Sequence, residues 1–104
     1  MLFDVRSYTV RPGTLPRQLA LYEELGYATQ VRHLGKPFAF LLPETGNINL
    51  YTHIWSYQDA ADRERRRAAM KADPAWQHYV AESAKAGYFL HQENRLMTPA
   101  EFTR

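Results

Sequence analysis

The chain has no cysteine, which excludes disulfide scaffolds, zinc–thiolate sites, iron–sulfur clusters and thiol catalysis. Long apolar runs are also missing. No segment approaches the ~20 residues that cross a bilayer, and Leu2-Phe3-Asp4-Val5-Arg6 carries neither a basic n-region nor an apolar h-region. Neither a membrane partner nor secretion is expected, and the cytoplasm is the expected compartment. Charge of one sign is scarce as well, with 13 Lys and Arg against 11 Asp and Glu and a net charge of +2. The one dense arginine run, Arg63, Arg65, Arg66 and Arg67, is interleaved with Asp59, Asp62, Glu64 and Asp73. A mixed-sign face of this kind reads as a solvated, ion-paired helix, so no nucleic-acid partner is expected.

Several chemistries lack their residues. There is no glycine-rich phosphate loop, no serine elbow and no paired-acid constellation. His33, His53, His78 and His91 fall on four different elements, and none stands four residues from another as a helical zinc pair would. No metal and no cofactor are expected, although a haem on one proximal histidine needs no motif.

The 104 residues suffice for one domain, residues 1–104, with a core of its own. Leu2 to Val10 reads as a strand by its β-branched and aromatic content. Thr14 stands at the N-cap of a helix with Pro16 in its first turn. Its stripe is Leu15, Leu19, Tyr22 and Gly26, widened by Leu21 and Leu25. The helix runs to His33 or Leu34 and stops at Gly35, with Gly26 a candidate break. Phe38 to Leu42 and Ile48 to Tyr57 make an antiparallel strand pair across a Pro43-to-Asn47 turn. Asp59 with Asp62 at N3 opens a second helical region, in which Asp59 can pair with Arg63 and Asp62 with Arg66. Asp73-Pro74 then restarts the helix, whose stripe is Trp76, Tyr79, Val80, Ser83 and Ala84. Tyr88 to Met97 is the last strand.

The order β-α-β-β-α-β predicts an α+β, ferredoxin-like fold: a four-stranded antiparallel sheet with both helical regions on one face and the first and third strands central. The third strand is apolar on both sides, with Leu50 and Ile54 on one and Tyr51, Trp55 and Tyr57 on the other. One set of helices covers one side only. An exposed aromatic face of this size exceeds what monomers normally show, so a homodimer with sheets packed face to face is expected.

Arg6-Ser7-Tyr8-Thr9 with Arg11-Pro12-Gly13, Tyr22-Glu23, Arg32-His33-Leu34-Gly35, His53-Ile54-Trp55, Ala61-Asp62-Arg63, Arg66-Arg67, Asp73-Pro74-Ala75-Trp76 and Gln92-Glu93-Asn94-Arg95 together resemble the NIPSNAP family, over Leu2 to about Pro99. The resemblance implies a dimeric α+β barrel, in which two ferredoxin-like protomers join their sheets. It also implies likeness in fold to cofactor-free monooxygenases and haem-degrading enzymes. No catalytic motif of the family carries over.

The candidate site follows from strand faces. Asp4, Arg6 and Tyr8 on the first strand and Tyr51, His53, Trp55 and Tyr57 on the third are expected to share one face. There His53 would act as a base near neutral pH, Arg6 would hold a carboxylate or enolate oxygen, and Tyr8 would donate a hydrogen bond. Trp55 and Tyr51 would wall an aromatic or acyl ligand, and Gln92 and Asn94 would extend the cavity on the last strand. The competing structural reading pairs Arg6 with Asp4 across a dimer interface and leaves His53 a satisfied buried imidazole. Three functions compete: a binder of a small aromatic or acyl ligand, a cofactor-independent monooxygenase or isomerase with His53 as base, and a non-catalytic interaction module that recruits partners through the Arg63-to-Arg67 helix.

Overall fold

The structure is a computed structural model that describes residues 1–103. Its order is the expected one, with each helical region split in two. β1 (Leu2–Val10) leads into α1 (Leu15–Leu25) and α2 (Tyr27–Leu34), followed by β2 (Ala39–Leu41) and β3 (Leu50–Tyr57). Then come α3 (Ala60–Ala72), α4 (Pro74–Ala86), β4 (Phe89–Met97) and a terminal 3-10 turn, Glu101–Thr103. The strands form one antiparallel sheet in the order β2-β3-β1-β4.

Local signals place the helix ends. The Asp59 carboxylate accepts from the Asp62 backbone N–H at 2.8 Å, satisfying one donor that the helix leaves orphaned, and Asp62 accepts from the N–H of Gln58, the residue before the cap, at 3.0 Å. Asp73 ends α3 and opens α4, accepting from the Ala75 N–H at 2.9 Å, with Pro74 as first helical residue. Thr14 departs from expectation. Its backbone is already helical, and its hydroxyl donates to the Arg11 carbonyl at 2.7 Å instead of capping α1.

The first helical region buries a different stripe from the leucines. Thr14, Gln18, Tyr22, Gly26 and Gln30 recur every fourth residue and are all buried, while Leu15, Leu19, Leu21 and Leu25 are half-buried at its flanks. The buried apolar cluster lies at the other end of the sheet, where Leu34, Trp55, Tyr57 and Met70 meet with Val31 and Trp76 against them.

Two expectations are corrected. The sheet is open, with β2 and β4 as its edges, and does not close into a barrel. The aromatic face of β3 is covered by the chain's own helices, so that Tyr51, Trp55 and Tyr57 are each no more than 3% exposed. The reason for expecting a homodimer was an aromatic face left bare, and that reason falls. The half-exposed face is the opposite one, carrying Phe3, Val5 and Ser7 beside Thr52 and Ile54, where the Ser7 and Thr52 hydroxyls pair at 3.0 Å. Alternation along β3 showed two unlike faces but not which of them the helices take.

Gly26 marks the turn between α1 and α2 for a packing reason. A Cβ there would stand 3.0 Å from the Tyr22 ring and 3.1 Å from the Tyr79 ring, two rings already packed edge to face. Gly26→Ala is expected to lower stability by about 1–3 kcal/mol as an overpacked site, read from the shift in urea midpoint at unchanged m.

Candidate functional site

Strand register assembles the site. On the helix-covered face Arg6 stands opposite His53 and Tyr8 opposite Tyr51, while across β1 the partners of Arg6 and Tyr8 on β4 are Asn94 and Gln92. Asp4, Arg6 and Tyr8 thus share a face with Tyr51, His53 and Trp55, and Gln92 and Asn94 are the β4 pair on that side. Near its start β4 slips by one residue against β1: Thr9 pairs with His91, but Val10 pairs with Phe89. This bulge at Leu90 resets the alternation. Phe89 therefore reaches the same face as Gln92, and its ring lies 5.2 Å from that of Tyr8.

Asp4 is fully buried and fully engaged. It accepts from Arg6 at 3.2 Å, from Arg63 of α3 at 3.1 Å and from Asn94 of β4 at 3.0 Å. Burial alone would raise its carboxyl, but the Asn94 hydrogen bond and the Arg6 and Arg63 guanidinium groups outweigh that and hold it below its ordinary value. Arg6 also donates through Nε to the Tyr8 hydroxyl oxygen at 2.9 Å. The pairing of Arg6 with Asp4 is thus made within one chain.

His53 is 4% exposed. Its imidazole lies between the rings of Tyr8 and Phe40, each 5.0 Å away and within 8° of parallel, so only its edges are presented to neighbours. Trp55 donates its indole N–H to Nδ1. A neutral imidazole that accepts at Nδ1 carries its proton on Nε2, and His53 is neutral: burial first, then the charges of Arg6 and Arg67, push it down to about 3, with only Asp4 acting the other way.

Around these groups lies a cavity of about 460 Å³ between the sheet and the helices. Tyr22, Phe40, Tyr51, Trp76, Tyr79 and Phe89 supply its aromatic wall, and Arg6, Tyr8, His53 and Arg67 its polar part. Trp55 is packed beneath His53 and does not line it, nor does Asn94, which is held on Asp4. The α4 stripe lines this space more than it builds core, since Tyr79 is buried but Val80 is 49% exposed. Gln18 of α1, fully buried, donates to the hydroxyl oxygens of Tyr51 at 3.4 Å and Tyr79 at 3.0 Å, and Tyr22 donates to Gln30. Burial raises the phenols of Tyr22, Tyr51 and Tyr79 above their ordinary value, so all three stay protonated.

Arg63 and Arg67 are the side chains of the candidate site that charge patterning hid. Arg66 pairs with Asp62 at 2.9 Å, as spacing predicted, but Arg63 turns from Asp59 to Asp4 and Arg67 lines the cavity. Their signal was the step 63, 67, 70, which puts both on the side of buried Met70. His33 lies away from the site, bonded to Asp73 at 2.8 Å; that bond comes first, then Arg32 and the Ala75 N–H, in holding Asp73 well below the usual carboxylate range. Among the described residues no cluster of histidine and carboxylate groups has the makings of a metal site, and no helix is long and apolar enough to cross a membrane.

Comparison with known proteins gives a consistent result. A family model described as NIPSNAP matches residues 3–104. The crystal structure of an Agrobacterium tumefaciens protein, described as a NIPSNAP family protein with unknown function, is similar at a TM-score of 0.89 and 33% identity, covering 98% of this chain and 90% of that one. A NIPSNAP-like domain protein from Burkholderia xenovorans is similar at a TM-score of 0.88 and 31% identity, over 97% of this chain and 86% of that one. Protein NipSnap homolog 2 of Danio rerio is 26% identical over 99 residues, which are 94% of this chain and 33% of that protein. The chain thus spans about a third of the length of this curated relative.

Two outcomes follow for stability. Unfolded histidine takes up a proton below its ordinary 6.5, whereas His53 in the folded chain does so only near 3. The unfolded state therefore binds more protons between these values, and stability falls as pH drops from about 6.5 toward 3, by about 4–5 kcal/mol over the whole window. Asp4, Asp62 and Asp73, whose pKa values are lowered from 3.8, add their losses only at the acid end. His53→Gln should remove most of the slope between pH 6.5 and 4.5 in urea titrations, and an unchanged slope would refute the assignment. Asp4→Asn, which leaves Arg6 and Arg63 without a counter-charge, should cost about 3 kcal/mol in the same assay.

Proposed function

The chain belongs to the NIPSNAP family, and we propose on that premise that it binds one small aromatic or acyl ligand in the cavity between its sheet and its helices. The observation that carries the proposal is the cavity itself. At about 460 Å³ it lies within the range of roughly 300–1,000 Å³ common to small-molecule sites. It combines an aromatic wall with a few convergent polar groups, the usual division between affinity and orientation. The rings come from β1, β2, β3, β4, α1 and α4, so that no single element has to rearrange to make the pocket.

The catalytic alternative, a cofactor-independent monooxygenase or isomerase, asks His53 to abstract a proton. Its lone pair at Nδ1 is taken by Trp55 and its basicity is depressed by burial, which suits a hydrogen-bond donor better than a general base. Arg6 and Tyr8 keep in this proposal the roles of orienting groups. Recruitment of partners through a basic helix is favoured less, because Arg63 is turned inward on Asp4 while Arg65 and Arg66 are engaged by Asp62.

The uncharged fluorescent probe N-phenyl-1-naphthylamine tests the cavity. It should bind saturably, one per chain, with blue-shifted emission. Ala84→Trp, which places an indole in the lining from the exposed side of α4, should reduce its affinity by about tenfold or more while far-UV circular dichroism is retained. Binding that is unsaturable, or that Ala84→Trp leaves unaltered, would refute the cavity as the site.

A further inference from the structure

We infer that the polar part of the cavity selects an anionic head made only of hydrogen-bond acceptors, so that the ligand is an aromatic or acyl carboxylate and not the matching alcohol, amide or amine. This rests on the ligand-binding reading above and names its chemical class. The groups that converge at that end, Arg6, Arg67, Tyr8 and His53, present donors, while Gln92 and Ser83 are lining side chains that can both donate and accept. The Tyr8 oxygen takes the Arg6 Nε–H at 2.9 Å, which leaves its own proton free to donate. His53 accepts from Trp55 at Nδ1 and so offers Nε2–H. Arginine has no acceptor to offer. Deeper in the cavity Gln30 accepts from Tyr22 through Oε1 and has its amide N–H groups left.

Charge points the same way. Arg6 and Arg63 share one carboxylate, Asp4. Arg67 has no carboxylate partner among the described residues, yet its charge is felt at both His53 and Tyr57. The cavity lining contains two arginines and no carboxylate. A carboxylate brings several acceptor sites and one negative charge, and it can engage a guanidinium through both oxygens. A primary amide offers one oxygen and no charge, and its NH₂ group finds acceptors only on uncharged side chains such as Gln92 and Ser83, away from the guanidinium groups it would have to satisfy. An amine adds a third cation.

The test uses 4-phenylbutyrate, 4-phenylbutyramide and 4-phenylbutylamine, each competing with N-phenyl-1-naphthylamine on the intact chain at pH 7. The carboxylate should bind about tenfold more tightly than the amide, the step expected for one hydrogen bond to a charged group, and the amine should not compete. Arg67→Gln and Tyr8→Phe should each narrow the carboxylate-to-amide ratio, whereas Arg95→Gln, on the other face of β4, should not. A ratio near one with the fluorescent probe still bound overturns the anion inference and leaves the cavity reading standing. Failure of the probe and of all three compounds overturns the cavity reading itself. Should the variants not fold, the ¹⁵N spectrum of the wild-type histidines decides. His53 protonated at Nε2, with that resonance moving on addition of 4-phenylbutyrate but not of the amine, supports the inference; His53 protonated at Nδ1 overturns it.

Discussion

One buried carboxylate holds the site together. Asp4 is the first polar residue of β1 on the helix-covered face, and it draws a guanidinium from its own strand, another from α3 and an amide from β4. Desolvating a carboxylate is costly, and a buried ion pair stabilises a fold only when its remaining acceptor positions are filled. Here they are filled from three elements at once, so the network specifies where α3 lies over the sheet and which side of β4 faces inward. The position of Arg6 follows, and through Arg6 that of the Tyr8 hydroxyl.

The aromatic groups behave as a second framework laid over the first. Tyr8, His53 and Phe40 come from β1, β3 and β2, adjacent strands, and their rings stack in a row across the sheet. Neighbouring strands lie about 4.8 Å apart, close to the 5.0 Å ring spacing seen here; register sets Phe40 directly beside His53, while Tyr8, whose own partner is Tyr51, reaches His53 from the diagonal position. Such a row fixes the plane of the imidazole, and the indole of Trp55 fixes which of its nitrogens carries the proton. Chemistry at His53 is thus decided by residues on either side of it in space and two positions away in sequence.

Much of this was readable from the sequence. The element order, the break at Asp73-Pro74, the capping of α3 by Asp59 and the shared face of Arg6, Tyr8, Tyr51 and His53 follow from period-two and period-3.6 patterning and from local capping chemistry. What escaped was long-range. Periodicity placed Tyr22 in the buried stripe of α1, but hydrophobicity filled the rest of it with leucines, whereas the deepest position is Gln18, because a tyrosine hydroxyl on the facing strand and another on α4 give the amide something to bind. Mixed charges on α3 suggested a surface helix, and nothing local to Arg63 announces a carboxylate 59 residues earlier. The barrel was expected from the family resemblance, and sheet-to-sheet pairing from two apolar faces on β3 of which one set of helices covers only one. The helices took the aromatic face, and the sheet stayed open.

The bulge at Leu90 has a consequence for how this framework tolerates change. In an unbroken strand, inserting or deleting one residue exchanges inward and outward side chains along its whole remaining length. The one-residue slip in β4 divides that strand into two phases, with Phe89 governed by the turn after α4 and Gln92 and Asn94 governed by their pairing with β1. The aromatic wall and the polar end of the cavity therefore answer to separate parts of one strand. Drift in the length of the α4–β4 connection can be absorbed at the bulge, and the residues around Asp4 keep their register.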